Sequence, residues 1–313
     1  MALDIQDIVV FLGLSRLRGI GFHSLRELGD IHGLAARLRT QVGEELLVKL
    51  FSSNESPEQR LSSVEDLGNE AYRVLNDRGM RMVAIGDEKY PSCFYDLGEK
   101  NRPHWFFYQG DVDLLEAHNV TVVGTRAPTD MGEFLVRYSV SALKDLAVNV
   151  VSGLAKGVDE IAHEWALRSN IRNISVLGTG LLKVYPSRNA SLASRIVDAG
   201  GVLISEYAPD AEPNKESFVW RNRLQAALGS CVVAPEWKAS SGTAHTIRYA
   251  KQLGRPTINV WPAGLSVEPD HGVADHSFVI PSEHDDFVRT IQRSFGGSSL
   301  STERQMNLFG LSG

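Results

Sequence analysis

Short apolar runs alternate with longer stretches of helical periodicity between residues 119 and 261. Six runs rich in β-branched residues are typical of buried strands: NVTVVG (119–124), VNVVSG (148–153), NISVLG (173–178), GVLISE (201–206), SCVVAPE (230–236) and PTINVW (256–261). Five helical stretches follow them, at 131–146, 156–169, 187–200, 216–229 and 242–254. Strands separated by helices form parallel sheets that are covered on both faces. The pattern therefore predicts an α/β fold with an extended Rossmann-like, doubly wound and mostly parallel sheet.

The pattern changes on both sides of this alternation. Residues 1–79 have apolar positions at helical spacing, which predicts a small helical domain in front of the sheet. Residues 80–295 are assigned to the Rossmann-like domain, whose lead-in strands are MVAI and HWFFYQG and whose last part holds one helix, SEHDDFVRTIQRSF. Residues 296–313 are polar and rich in Gly and Ser, which predicts a flexible tail.

Two features outside the alternation have two interpretations each. LRGIGFHSLREL (17–28) resembles a helix–hairpin–helix turn that contacts a DNA phosphate, but a glycine-containing turn in a helical bundle explains it equally well. The aromatic run Trp105, Phe106, Phe107 and Tyr108 suits a base-stacking platform. It suits better a strand that packs on the following domain.

Composition excludes some classes of protein. The chain has 313 residues, of which 43% are hydrophobic and 22% charged. No apolar run reaches the roughly 18 residues of a transmembrane helix, and the first residues lack the basic region of a secretory signal. Two distant cysteines, Cys93 and Cys231, predict reduced thiols and a cytoplasmic protein.

The charge is unevenly distributed. The chain has a net charge of −6, but residues 120–262 hold 16 Lys and Arg against 12 Asp and Glu, and the other residues hold 16 against 26. A basic module inside an acidic chain attracts phosphate. Ordinary scatter of charge produces a similar imbalance, so this observation adds little by itself.

The first two strand ends offer candidate phosphate ligands. Ligands of open α/β sheets bind at the carboxyl ends of the strands, next to helix N-termini. Arg126 follows the first strand in VVGTRAPTDMG, and Ser152, Gly153 and Lys156 lie in VVSGLAKGVDEIAH. The dinucleotide pattern G-x-G-x-x-G is absent, and Lys156 precedes the second glycine instead of following it as in a P-loop. The glycines have a purely structural interpretation as well.

The later strand ends repeat this chemistry. GTG (178–180) is followed by Lys183 and Arg188, and Glu206 can orient an arginine or contact a ribose hydroxyl. The last two strand ends add further candidates: Arg221, Asn222, Arg223, Ser241, Gly242 and Thr243. Several strand ends with small residues and a cation suit an extended polyanion better than a single nucleotide, although one large nucleotide can also use several loops.

These segments, in this order and spacing, resemble those of the DprA/Smf DNA-processing proteins. The resemblance covers about residues 75–262 and includes IGDEKYPSCFYDL, FVWRNRLQAAL and SSGTAHTIRYAKQLGRP besides the loops above. It implies a helical domain before an extended Rossmann-like domain, a homodimer, single-stranded DNA binding and presentation of that DNA to the RecA recombinase. It also implies no enzymatic activity and no cofactor. By position, it implies that Arg126, Ser152, Gly153, Lys156, Arg221 and Arg223 contact phosphates, with a weaker candidate in the turn from Ser241 to Thr243.

The sequence departs from this family after residue 262. AGLSVEPDHGVADHSFVI replaces a Gly-rich and Asn-containing segment, and the remaining residues, about 50, do not contain the winged helix of many members. Within them, QMNLF, with Gln305, Leu308 and Phe309, resembles the peptide by which bacterial proteins bind the replicative sliding clamp. A polar tail with one Leu-Phe pair suits such a groove-binding anchor.

Two alternatives come from other functional classes. Related Rossmann-like folds sense or hydrolyse nucleotide-derived small molecules, but the turn SSGTAHT lacks the catalytic Glu of the hydrolases. A Ser–His hydrolase would use Ser152 and His163, yet no G-x-S-x-G elbow is present. His163 lies among apolar helix positions and is predicted to be packed or to contact a second copy.

Overall fold

The computed structural model describes residues 3–40, 56–264 and 273–296. Nine strands form one sheet in this described part. In chain order they are β1 (Met80–Ala84), β2 (Trp105–Gly110), β3 (Asn119–Val122), β4 (Asn149–Ser152), β5 (Asn173–Val176), β6 (Val202–Ser205), β7 (Cys231–Val233), β8 (Thr257–Pro262) and β9 (His276–Ile280). Their order across the sheet is β1-β2-β6-β5-β4-β3-β7-β8-β9.

Seven neighbouring strands of this order, β6-β5-β4-β3-β7-β8-β9, are parallel to one another. β2 pairs antiparallel with both β1 and β6. Each of the six predicted central strands and both lead-in strands forms at the expected place, so the prediction of a mostly parallel α/β sheet is confirmed. β9 was not predicted. Its first residues are exposed because it is an edge strand, so HSFVI lacks the continuous apolar run of the inner strands.

Helices precede the sheet and connect its strands. They are α1 (Ile5–Ser15), α2 (Phe22–Glu27), α3 (Leu34–Leu38), α4 (Pro57–Asp77), α5 (Gly98–Asn101), α6 (Asp130–Ser141), α7 (Val158–Arg168), α8 (Ala190–Asp198), α9 (Lys215–Trp220), α10 (Asn222–Leu228), α11 (Thr243–Gln252) and α12 (His284–Gly296). The stretch 216–229, predicted as one helix, is divided at Arg221 into α9 and α10. No helix of the described residues is long and apolar enough to cross a membrane.

Alternate residues of the buried strands enter two different cores. Val150 lies in the core under α6, α7 and α12, whereas Val151 lies in the core under α10 on the opposite face. This is the two-residue period of a strand that is covered on both faces. The chain proceeds from β3 to β6 in one direction across the sheet, and from β7 to β9 in the other. The two directions diverge between β3 and β7.

The helices before residue 80 share a core with the sheet. Phe11 of α1 packs against Trp105 with ring centroids 4.8 Å apart, and Phe22 of α2 packs against Tyr207 at 4.7 Å. Trp105, Phe106 and Phe107 are each at most 1% exposed. Trp105, Phe106 and Phe107 therefore belong to a packing strand and do not form a base-stacking platform.

A histidine also joins the two parts. His32, which precedes α3, lies between two carboxylates: its Nδ1 is 2.8 Å from Oδ1 of Asp30, and its Nε2 is 2.9 Å from Oδ1 of Asp87 in the turn after β1. Partial burial lowers the pKa of His32, but the hydrogen bonds to both carboxylates outweigh it, so that the pKa is raised. The imidazolium donates to both partners.

This bridge makes stability depend on pH. A raised pKa in the folded state contributes stability that is fully present below the pKa of the unfolded chain, about 6.5, and is lost as the pH rises through the folded value. We expect His32→Gln to lower the free energy of unfolding at pH 6 more than at pH 8, measured by urea denaturation. His23→Gln, at an exposed histidine on α2, serves as the control. An equal loss at both pH values would contradict the prediction.

Candidate nucleic-acid interface

The loops after β3, β4 and β7 meet at the carboxyl edge of the sheet and are bonded to one another. The amide of Thr125 donates to the carbonyl of Glu236 at 2.8 Å, and the amide of Val158 donates to the carbonyl of Thr125 at 3.1 Å. Oγ1 of Thr243, at the start of α11, donates to the carbonyl of Gly124 at 2.9 Å. These bonds give one connected surface, in which the loop of Arg126 lies between its neighbours.

The loop after β4 presents one cation to solvent and buries the rest of its polar groups. Lys156 is exposed, whereas Ser152 is fully buried and its Oγ donates to the carbonyl of Val122 at 2.6 Å. Gly157 has a φ of 87°, and a Cβ there would lie 2.5 Å from the carbonyl oxygen of Thr125. The side chain of Ser152, which was predicted to contact a phosphate, is therefore engaged within the fold and holds the loop against β3.

Arg221 lies beneath this loop. It is 4% exposed, its Nη2 donates to the carbonyl of Gly153 at 3.2 Å, and the same atom is 3.7 Å from Oδ2 of Asp159. A Cβ on Gly153 would lie 1.8 Å from Nη1 of Arg221, so only glycine leaves room for the guanidinium. In the described part, Nε and Nη1 have no hydrogen-bond partner. Arg221 therefore brings a positive charge and two free N–H donors close under the loop.

Asp159 balances that charge. Its Oδ2 also accepts from the amide of Gly153 at 3.1 Å. Burial raises the pKa of Asp159 and the charge of Arg221 opposes this shift; burial lowers the pKa of Arg221 and Asp159 opposes it. Asp159 also lies in the first turn of α7, where a carboxylate interacts favourably with the helix dipole. Its larger effect is to fix Arg221 and Gly153 in place.

Arg223 lies inside the protein, contrary to its predicted role as a phosphate ligand. It is 0% exposed, and its guanidinium donates to Oε1 of Glu206 at 2.6 Å, to the carbonyl of Trp220 at 2.9 Å and to the carbonyl of Asn101 at 2.5 Å. Each of its nitrogens is thus used within the fold. Glu206 orients this arginine, which was one of its two predicted roles, and lies 3.6 Å from Nη1 of Arg26 as well.

The remaining candidates on the last two loops hold the loops together. Nδ2 of Asn222 donates to the carbonyl of Gly242 at 3.2 Å, and Oγ of Ser241 donates to the carbonyl of Lys238 at 2.7 Å. Gly242 is exposed, whereas Thr243 is buried. Asn222 and Thr243 therefore position the turn, and only Ser241 and Gly242 offer it to a ligand.

A carboxylate of the protein occupies the N-terminus of α6. Both the amide and Oγ1 of Thr129 donate to Oε2 of Glu236 at 3.0 Å, and a Cβ on Gly132 would lie 1.6 Å from that oxygen. This is where the first helix of a dinucleotide-binding fold receives a pyrophosphate. Because Glu236 already fills the position with negative charge, the structure disfavours a nucleotide phosphate there, as the absence of G-x-G-x-x-G had suggested.

Two aromatic rings that the sequence reading overlooked lie beside Arg126. The guanidinium of Arg126 is 5.8 Å from the ring centroid of Phe218, which is 5.5 Å from the ring of Tyr185. Tyr185 is 49% exposed and Phe218 half-buried. Tyr185 lies in the loop after β5, and Phe218 lies in α9. The sequence signal for these rings was an aromatic residue next to Pro186 and a second one two residues before Trp220.

The exposed cations divide into paired and free ones. Nζ of Lys183 is 2.7 Å from Oε1 of Glu212, and Nη2 of Arg188 is 2.5 Å from Oε2 of Glu160. Arg126 and Lys156 form no ion pair within the described ranges. They are therefore the candidates whose charge is available to a ligand.

The residues proposed for a hydrolase make separate contacts. His163 is fully buried, a hydrogen bond of 2.8 Å joins its Nδ1 to Oδ1 of Asn173, and burial lowers its pKa to about 4. It is packed, as one prediction for it stated, while Ser152 donates elsewhere. No group of His, Cys, Asp and Glu that could hold a metal occurs among the described residues.

Comparison with known proteins identifies relatives of the chain. The family model of the DNA recombination-mediator protein A matches residues 81–276. Protein Smf of Synechocystis is 36% identical over 190 residues, 59% of this chain and 47% of that protein, so the match spans about half of the relative. DNA processing protein DprA of Streptococcus pneumoniae is 36% identical over 206 residues, which are 64% of this chain and 71% of that protein.

Two solved structures are similar. DprA from Streptococcus pneumoniae gives a TM-score of 0.60 with 26% identity, over 85% of this chain and 89% of that one. DNA processing protein A from Helicobacter pylori, whose structure is described for its single-stranded DNA binding mode, gives a TM-score of 0.57 with 26% identity. The match covers 68% of this chain and 96% of that one.

The buried pair of Arg221 and Asp159 beneath the loop after β4 should contribute measurably to the free energy of unfolding. Asp159→Ala leaves Arg221 buried without its carboxylate, which costs about 3–5 kcal/mol when a buried pair is broken. Glu160→Ala, one residue further, removes only an exposed pair with Arg188 and should cost at most about 1 kcal/mol. Denaturant unfolding of both variants measures the difference. Equal losses would show that Arg221 does not depend on Asp159.

Proposed function

The chain belongs to the DprA/Smf family of DNA-processing proteins, and on that premise we propose that it binds single-stranded DNA along the carboxyl edge of its sheet. The observation that carries the proposal is the grouping of Arg126 and Lys156, both exposed and free of ion pairs, with the half-buried ring of Phe218 and the exposed ring of Tyr185. Cations next to stackable rings are what a sequence-independent single-strand site requires.

Each group has a distinct role in the proposed complex. Arg126 and Lys156 contact phosphates from solvent, and the buried pair of Arg221 and Asp159 holds the backbone of Gly153 in place beneath Lys156. Phe218 and Tyr185 stack on bases that are unpaired and so expose their faces. Ser241 and Gly242 remain weaker candidates for a phosphate contact.

Single-stranded DNA is favoured over a small nucleotide by two features. The helix end that would receive a nucleotide phosphate is filled by Glu236. The free cations and rings come from the loops after β3, β4 and β5 and from α9, and this spread suits a continuous DNA strand. The proposed role is binding, with no catalytic step.

The first test is charge reversal at the surface. In the double variant Arg126→Glu and Lys156→Glu, we expect the affinity for an oligothymidine to fall by more than tenfold. The slope of log K against log salt should also fall by about 1.4, because each single-strand phosphate contact contributes about 0.7. Lys144→Glu, an exposed lysine beyond the C-terminal end of α6, is the control for net charge. Fluorescence anisotropy at several salt concentrations measures both quantities, and wild-type affinity in the double variant would refute the proposal.

We extend the proposal to partners on the basis of the resemblance. The protein acts as a cytoplasmic homodimer that presents the bound strand to RecA, and the tail motif with Gln305, Leu308 and Phe309 binds the sliding clamp. The tail lies outside the described residues. The apolar Leu-Phe pair would supply the anchor in the clamp groove.

The clamp contact can be tested separately from DNA binding. Deletion of residues 305–313 should abolish binding to the clamp and leave the affinity for single-stranded DNA unchanged, because the tail contributes neither Arg126 nor Lys156. Surface plasmon resonance with immobilised clamp measures the first quantity, and anisotropy the second. Undiminished clamp binding by the truncated protein would exclude this role of the motif.

A further inference from the structure

We propose that the groove between α6 and α7 is a second segment of the DNA site, in which Trp165 stacks a base of the same strand. This inference rests on the proposed function. The groove has a volume of about 860 Å³ and is lined at one end by Arg126 and Lys156 and, further along, by Trp165 and Arg168. A DNA strand bound at the loops of Arg126 and Lys156 therefore has an open path into the groove.

The charge in this groove favours a polyanion. Three carboxylates line it, but each is engaged by an arginine: Glu133 with Arg137 at 2.6 Å, Glu160 with Arg188 at 2.5 Å, and Glu164 with Arg195. In the part of the chain that the structure describes, Arg126, Lys156 and Arg168 line the same groove without an ion pair. The free charge of the groove is therefore positive along its length.

Trp165 has the placement of a stacking residue. It is half-buried, and its indole Nε1 donates to Oγ of Ser141 at 2.6 Å, which fixes the ring across the two helices. The guanidinium carbons of Arg168 and Arg137 lie 5.4 and 5.8 Å from its ring centroid. Guanidinium groups lie over the ring of this fixed indole, and in the proposed complex a base takes the place of one of them, which then donates to a phosphate.

A DNA strand must be longer to reach Trp165 than to occupy the loops after β3 and β4 alone. Trp165 is seven residues along α7 from Val158, about 10 Å at 1.5 Å per residue. A very short oligonucleotide can thus occupy the loops without reaching Trp165, whereas a longer one reaches both. Length dependence is therefore the property that separates the two segments.

The experiment compares oligothymidines of about six and about fifteen nucleotides, lengths within the range of known single-strand sites. Trp165→Leu and Arg168→Glu should each weaken binding of the longer oligonucleotide, Trp165→Leu by about tenfold, and leave the shorter one unchanged. The double variant at Arg126 and Lys156 should weaken both. Tryptophan fluorescence should be quenched by the longer oligonucleotide in the wild type and not in Trp165→Leu.

The outcomes are distinguishable. If the loop variant weakens both oligonucleotides while Trp165→Leu and Arg168→Glu bind the longer one like the wild type, the groove segment is refuted and the proposed function stands. If the wild type binds neither, the proposed function itself fails. If a mononucleotide at equal concentration abolishes the quenching, the groove is a nucleotide pocket and the inference is overturned. Because Arg168 is exposed, its variant keeps the test valid should Trp165→Leu fold poorly.

Discussion

The buried guanidinium of Arg221 is the contact on which the carboxyl edge of the sheet depends. It joins the junction of α9 and α10 to the loop after β4 through the carbonyl of Gly153, and to α7 through Asp159. Removing a charge from water is expensive unless it is paired, so the arginine, the glycine and the aspartate are mutually required. Lys156 is displayed at the surface because the backbone before it is held from below.

The cations at this edge of the sheet fall into two groups, buried ones that support the loops and exposed ones that face solvent. Arg221 and Arg223 are inside and support loops, while Arg126 and Lys156 are outside and face solvent. Arginine suits the inner role because its planar fork of five donors can satisfy several carbonyl and carboxylate acceptors at once, as Arg223 does. A surface built in this way keeps its cations in place before any ligand arrives, which lowers the conformational entropy that binding must overcome.

The sequence predicted the strands and the loops but not the direction of the side chains in them. Continuous apolar runs such as VNVVSG identify inner strands, whereas the edge strand β9 has two of its five residues exposed and lacks that signal. Arg221 and Arg223 both stand in RNR, and nothing in that spacing distinguishes a surface arginine from a buried one. Their burial depends on Asp159 and Glu206, which are distant in sequence. Phe218 was missed because its role depends on its place beside Arg126, which the fold creates between α9 and the loop after β3.

Glu236 fills an anion site of this Rossmann-like sheet, which favours the proposed DNA ligand over a dinucleotide. In doubly wound sheets the ligand enters the crevice where the strand order reverses, which here lies between β3 and β7. The loop after β7 closes that crevice: its carbonyl at Glu236 accepts from Thr125, and its carboxylate accepts from Thr129 at the N-terminus of α6. With this anion site filled from within, the free positive charge lies on the other side of the β3 loop, at Arg126 and Lys156. Among the described residues, the groove along α7 continues from these two cations and is lined by a further unpaired cation, Arg168, so a polyanion bound as proposed has a path outward across the surface.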